Sequence, residues 1–593
     1  MSETMLTYFE QEQQFIRRDG AMFAIQHPGA ANALGISKEG VDDPQISRLI
    51  ESIALLNGRL QKRLDGSFPE LTESLIQLLF PHYLRPIPSY AILNFAIDDS
   101  ANSSHLIPAL TEFDVKSGNQ TSCIFRTTED ITLYPIKLSK VRVAFAPFDV
   151  PKPKGAEQAK ALIEIDIETI DETILFSDLD IKELNLYLKG EANAALRLYD
   201  IVFQKTLEIC VSTEDKNYVL GRNRMNSVGF ELEESLLPYN VSSFAGFRLL
   251  AEFFTFPERF NAFRFDLHEC LKQVDSNRIC LRLFLSELSV DMARGLSTNN
   301  FCLFCVPIVN LHTMTADPVS IDFLKRQYPL ILDSGQIEGI EVFSVDQVFD
   351  VTDGDLVKVP AIYSEKYLEN QCGLRWQLVQ ESHEDGHIQS HLKVADLKHL
   401  GASGDNRTWL VKVTVTNGLK AGTLPLSSEL RCRDSLTIPG TMRLLRKPSI
   451  ALKRRDADEE IWSLLCHLHF NYQSILGNND PKRTLKEVFH LYNHNQSTQN
   501  TAYIESINNI ELEQIVSPIR VSGKGCFAYG TKITVTLDAN QINGGLVLFS
   551  TLLDKFFSYF ANFNSFNQLE IKLESQDEVY ISFPRRSGCK GLL

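Results

Sequence analysis

The sequence predicts an α+β protein of several domains. It is helical at the N-terminal end, rich in strands through the centre and α/β at the C-terminal end. Two features of its periodicity and one of its length carry this prediction. Apolar residues recur at intervals of three and four up to about residue 88, then shift toward alternation, and both patterns return after about residue 450. The 593 residues are several domains long at about 100–200 residues each. The expected divisions are a helical region over 1–88, a β-rich mixed domain over 89–300, a second β-rich domain over 301–450 and an α/β domain over 451–593.

In the first region Asp43 caps a helix and Pro44 takes its first turn. Ile46, Leu49, Ile50, Ile53, Leu56, Leu60 and Leu64 make its apolar stripe, opposite Gln45, Arg48, Glu51, Gln61 and Lys62. Such a stripe needs a covering surface, from this chain or another. A further helix starts with Ser67 as cap and Pro69 in the first turn, and Leu71, Leu75, Leu78 and Leu79 line one side. Pro81, Pro86 and Pro88 then stop the helix and hold the chain extended.

Alternation marks strands at Ile131–Tyr134, Val141–Phe145 and Ile163–Glu168, and a short helix fits Ala194–Phe203. The Pro-Lys-Pro-Lys-Gly run at 151–155 is a loop. A helix over Phe247–Phe254 and a strand over Ile279–Leu285 follow. Trp409–Thr416 is a strand, and Asn417-Gly418 after it is a hairpin-turn signal. In the last region Glu459–Phe470 is a helix with Ile461, Leu464, Leu465 and Leu468 inward, and Lys532–Leu537 is a strand. Leu546–Phe563 is a helix carrying Phe549, Leu553, Phe556, Phe560 and Phe563, and Val579–Phe583 suggests a closing strand. The chain holds 37 Phe against 3 Trp, clustered at 244–266 and 549–566. Core packing takes most of them, and an interface core could take others.

A net charge of −16 argues against nucleic acid and anionic lipid as partners, both of which need a basic face. The basic cluster from Arg443 to Lys447 and at Lys453-Arg454-Arg455 reads as a solvated connection. Met1–Phe15 has no apolar leader segment, and no run of about 18 apolar residues could span a membrane. Eleven scattered cysteines then suggest reduced thiols in a cytoplasmic setting.

His383-Glu384-Asp385-Gly386-His387 matches the zinc-hydrolase string H-E-x-x-H. That string works on a helix, where four residues bring both imidazoles to one metal. Here Asp-Gly fills its interior and strand-like alternation flanks it, so it reads as a hairpin tip. Cys302-Leu303-Phe304-Cys305 is a CxxC in an apolar run, read as two small buried hydrophobes. Cys466-His467-Leu468-His469 sets its histidines on different helix faces. Ser522-Gly523-Lys524-Gly525 lacks the spacing of a phosphate loop. Glu164, Asp166 and Glu168 share one strand face, read as solvated surface. No cofactor is expected.

Several stretches resemble one family. Phe68-Pro69-Glu70-Leu71-Thr72-Glu73-Ser74-Leu75-Ile76-Gln77-Leu78-Leu79-Phe80-Pro81-His82-Tyr83-Leu84-Arg85-Pro86-Ile87-Pro88-Ser89 is the strongest. Val228–Tyr239, Ser243–Glu258, Pro307–Leu311, Val342–Asp346, Tyr529–Asp538, Gly544-Gly545 and Asn564–Leu569 follow in order. These resemble TssF, a baseplate subunit of the bacterial type VI secretion system. The chain departs from that pattern at Asn417-Gly418, where the family tends to have an Asn-Arg pair.

The resemblance implies a non-enzymatic wedge component similar to phage contractile-tail baseplate proteins, cytoplasmic and docked to the inner-membrane secretion complex. It implies assembly with TssG, TssE, TssK and a second TssF copy, with spike and sheath components nearby, as a platform that triggers contraction. The interface candidates are Ile46, Leu49, Ile53, Leu60, Leu71, Leu75, Leu78, Phe549, Phe556 and Phe560. The competing reading is a zinc hydrolase built on His383 and His387.

Overall fold

A computed structural model describes residues 3–33, 35, 44–65, 85–99, 101–117, 122–214, 216–238, 244–325, 327–332, 339–362, 373–382, 388–396, 406–452, 480–521, 524–561, 565–576 and 578–587. The chain divides into two compact units, Met1–Leu79 with Asp456–Cys466, and Phe80–Arg455 with His467–Leu593.

The first unit is helical where it is described. It holds α1 (Glu3–Gln26), α2 (Pro28–Ala33) and α3 (Pro44–Asp65), and α3 starts at the proline the sequence marks. Helices approach closely where side chains are small. Ala54 is fully buried, and a Cβ on Gly58, one turn on, would lie 3.1 Å from the Phe9 amide nitrogen and 3.2 Å from the Tyr8 carbonyl. So α3 meets α1 closely at Gly58, one turn from the buried Ala54.

The second unit is built mainly from antiparallel sheets. A six-stranded sheet orders Glu429–Cys432, Glu112–Lys116, Cys123–Thr127, Cys305–Val309, Tyr90–Ala96 and Thr441–Leu444. Its strands come from both sides of the division expected at residue 300. Phe301–Cys302 likewise pairs with Glu183–Leu188. The two central regions are therefore one interleaved β structure, because Pro307–Val309 carries the partner edges that Tyr90–Ile92 needs. A second sheet sets Ala161–Thr169 between Ile136–Phe145 and Arg278–Leu285. A third centres on Arg407–Thr416, whose Trp409, Val411, Val413 and Val415 are buried.

The last sheet joins a long hairpin, Ile507–Val521 with Lys524–Leu537, to Ser565–Leu573. The second and third of these strands run parallel. Parallel neighbours need a crossover, and α8 (Leu546–Ser558) lies within it. The other helices of this unit used below are α4 (Ala192–Lys205), α5 (Ala245–Thr255), α6 (Pro481–Tyr492) and α7 (Thr498–Glu505).

The two phenylalanine clusters of the sequence are halves of one core. Phe253 and Phe549 lie 6.4 Å apart by ring centroids, and Tyr503 stacks on Phe549 at 5.2 Å. Phe247 stacks on Tyr492 at 5.6 Å, and Phe489 meets Phe556 edge-on at 5.6 Å. Offset and edge-on pairs add to the burial energy of each ring.

Candidate assembly surfaces

The interface candidates separate into three groups. On α3, Leu49, Ile53, Leu56 and Leu60 are 42–62 % exposed and lie three and four residues apart on one helix face, with Ile46 half-buried beside them. The contact with α1 lies at Gly58, and among the described residues the leucine face stays open. Leu71, Leu75 and Leu78 lie outside the described residues, as do the helix around them and Pro81, whereas Pro86 and Pro88 flank Ile87, which bridges to Leu452. Phe549 and Phe556 are fully buried and Phe560 is nearly so. These three are a correction. Their rings are already covered by α5, α6 and α7 of the same chain, which leaves a second protein no surface to cover.

The hydrolase string His383–His387 lies outside the described residues. The strands on either side, Leu374–Ser382 and Ile388–Asp396, pair in one antiparallel hairpin with Ser382 opposite Ile388. Nothing supports the hydrolase reading, and the described residues contain no group of three or more His, Cys, Asp or Glu placed to hold a metal. Ser522 and Gly523 lie outside the described residues between two paired strands, and Glu459–Phe470 with Cys466, His467 and His469 also lies outside. Cys302 and Cys305 sit in the core with Tyr90, Ile92 and Tyr187. The Asn94 amide donates to the Leu303 carbonyl at 2.7 Å between them.

The acidic strand differs from its expected solvated state. Its neighbours supply matching cations. Arg142 lies 2.9 Å from Asp166 and 3.6 Å from Glu164, Arg282 lies 2.9 Å from Glu164, and Lys137 and Arg278 approach Glu168 at 3.5 and 3.6 Å. Opposite charges across strands stabilise a sheet face, by about 0.2–1 kcal/mol a pair. The basic cluster is partly used too, since Arg443 donates to Asn94 at 2.9 Å and Arg446 to the Gly190 carbonyl at 3.2 Å.

Three polar devices explain the sequence strings without any chemistry. Glu252 on α5 is buried and accepts from the Leu236 amide at 3.1 Å and from Arg259 at 2.6 Å. Glu234 accepts from the Gly229 amide at 2.8 Å and meets Arg264 at 2.6 Å. Glu252 thus ties the 228–238 loop to α5, while Glu234 closes the loop on itself and onto the Ala262–Asp266 strand. Asn310 and Asn417 form a second device. The Asn417 side-chain oxygen accepts from Asn310 at 2.8 Å and from the Ile124 amide at 3.0 Å, while the Asn417 amide donates to the Asn310 oxygen at 2.8 Å. Asn417 is therefore a buried clasp that leads into a short 3-10 segment, Gly418–Thr423, and not a hairpin tip.

The third device caps α8. Asp200 of α4 accepts from the Gly545, Leu546 and Val547 amides at 2.7, 3.0 and 2.9 Å. Burial pushes its carboxyl up to about 6 against the pull of these amides. Gly545 sits at φ +84, and a Cβ there would lie 2.2 Å from the Tyr503 hydroxyl, so this position requires glycine.

The described surface thus offers an apolar helix face and exposed strands, features that bind other polypeptides. The build is that of an assembly component. Comparison with known proteins agrees. The family model described as "Type VI secretion system, TssF" matches residues 1–590, and the chain belongs to that family. It is similar to the Pseudomonas aeruginosa type VI secretion system component TssF1, 25 % identical over 613 aligned positions that cover 98 % of each chain. It is also similar to a chain in a TssK-TssF-TssG baseplate subcomplex solved by cryo-electron microscopy, with TM-score 0.75, 26 % identity, and 92 % and 99 % of the two chains covered. A chain of the type VI secretion baseplate complex matches at TM-score 0.60 and 25 % identity, over 99 % of this chain and all of that one. This is a TssF baseplate component.

Proposed function

We propose that this chain works by shape alone, as a wedge part of the baseplate on which tail tube and sheath assemble. The open α3 face carries the reading. Leu49, Ile53, Leu56 and Leu60 leave a helix-long apolar strip uncovered, and exposed apolar strips of this kind mark protein–protein contacts. A TssF relative solved with TssG and TssK supports the choice of partners. We assign this face to TssG, as an apolar helix-in-helix contact. TssK, TssE, a second copy of the chain, and the spike and sheath complete the neighbourhood. The chain acts in the cytoplasm, docked through its partners to the inner-membrane complex, and catalyses no reaction. Contraction follows when a trigger moves the wedge from one packing to another.

The test is co-expression with TssG and TssK from the same source, followed by mass measurement of the intact particle. A stable complex is expected, and Leu56→Glu with Leu60→Glu abolishes it while the chain stays folded. A chain that remains alone beside both partners refutes the reading.

A further inference from the structure

The last sheet has a bare edge. Among the described residues Ile507–Val521 pairs only with Lys524–Leu537, and no strand runs along its other side. Which backbone groups face that side follows from the alternation of an antiparallel ladder. The Asp538 amide donates to the Ser506 carbonyl at 2.8 Å, inside the hairpin. One residue away, the Leu537 carbonyl turns to the opposite side and accepts from the Glu574 amide at 3.0 Å. Carried through the bulge between Ile507 and Asn509 and along the register, this turns the amide and carbonyl of Ile510, Leu512, Gln514 and Val516 outward. Pro518 is next in the series. It has no N–H, and a strand tolerates proline where the N–H would point off the edge.

The same residues expose apolar side chains. Leu512 and Val516 are exposed, and so are Tyr529 opposite Val516 and Phe527 opposite Pro518, at 75 % and 82 %. A long edge with apolar neighbours is a template for another strand. Glu511 and Glu513 do not block it, since alternation puts their side chains on the other face.

We propose that the edge is completed by the same strand of a second copy, antiparallel, about a two-fold axis through Gln514. The proposal rests on the assembly reading above and assigns the surface through which two copies join. The sequence is self-complementary about that residue. Leu512 falls opposite Val516 of the second copy, Glu513 opposite Ile515, Glu511 opposite Ser517, and the Gln514 amides meet on the axis. Pro518 falls opposite Ile510 and ends the ladder. Neighbouring registers are worse. An axis at Glu513 sets two glutamates face to face, and one at Leu512 opposes Glu511 and Glu513 twice. An axis at Ile515 puts Gln514 against Val516 and draws Pro518 nearer the centre, where its missing donor shortens the ladder. The axis at Gln514 also leaves Leu512, Val516, Phe527 and Tyr529 of both copies on one continuous face.

Gln514→Cys tests this in the full chain, co-expressed with the baseplate subunits named above. Hydrogen-bonded antiparallel partners lie about 5.5 Å apart at Cα, inside the roughly 4.4–6.8 Å that a disulfide spans. Mild oxidation should give a 514–514 disulfide-linked peptide by mass spectrometry. Leu512→Cys alone should give no 512–512 link, whereas particles mixing Leu512→Cys and Val516→Cys copies should give a 512–516 link. Gln514→Pro removes an outward N–H and no hairpin bond, and should lower the particle mass by one copy of the chain. A particle holding two copies that shows no 514–514 link, or that keeps its mass with Gln514→Pro, overturns the edge pairing and leaves the assembly reading standing. So does a particle holding a single copy. Failure to co-purify with any subunit overturns both.

Discussion

Helices α3 and α8 both carry large apolar residues at spacings of three and four, and the structure uses them in opposite ways. On α8, Leu546, Val547, Leu548, Phe549, Leu552, Leu553, Phe556 and Phe557 are all buried. They surround the helix, so every side is in the core. On α3, polar residues take half the circumference and the apolar strip of Leu49, Ile53, Leu56 and Leu60 lies open. How far the apolar residues reach around the helix therefore separates a core helix from a surface one more sharply than the strength of its stripe. The interface proposed for this protein lies where a stripe is one-sided and small residues sit beside it.

The contrast can be attacked from the core side first. Phe556→Ala should destabilise the second unit by about 3–5 kcal/mol, the usual cost of emptying a buried phenylalanine site, as read by denaturant unfolding. If it unfolds normally yet fails to bind partners, α8 is an interface after all. Gly58→Leu comes next. It forces α1 and α3 apart against backbone atoms, at a cost of about 1–3 kcal/mol, and limited proteolysis should then cut α1 faster with the second unit unaffected.

Asp200→Ala should cost about 1–2 kcal/mol through the lost cap of α8. Asp200 also gives a pH signature. Its folded value of about 6 stands above the roughly 3.9 of an unfolded chain. The folded state thus binds the extra proton between these values, and stability falls as pH rises from about 4 to about 6. Asp200→Asn should flatten that slope in unfolding curves taken across the window. The smallest effect on folding belongs to Leu56→Glu, within about 0.5 kcal/mol for an exposed site. The same change should remove the TssG contact, and a variant that binds as before returns the α3 face to plain surface.

Helix positions were legible because their signals are local. Pro44 opens α3, and the alternation over Ile163–Glu168 is a strand as expected. Interleaving of the strands was not legible. Nothing within Cys305–Val309 announces that its partners are Tyr90–Ala96 and Cys123–Thr127, far away in sequence. The same limit explains the polar misreadings. Glu164 and Asp166 look solvated until Arg142 and Arg282 are placed beside them. Asn417-Gly418 has the composition of a turn, and only the distant Asn310 makes it a clasp. Asp200 gave no signal, because an aspartate inside one helix that caps another has no fixed spacing to its target. The strings resembling TssF did include Gly544-Gly545, Asn310 and Glu234, which are backbone and clasp positions.

The joined phenylalanine core sets a schedule for synthesis. Its first half, on α5, leaves the ribosome long before α8 is made, and at about 5–20 residues per second the interval is some tens of seconds. Through that time Phe247, Phe253 and Phe254 have no mate from the far end of the chain. A stop codon between residues 255 and 546 would leave these rings without their partners on α8, and such a fragment should be prone to aggregation.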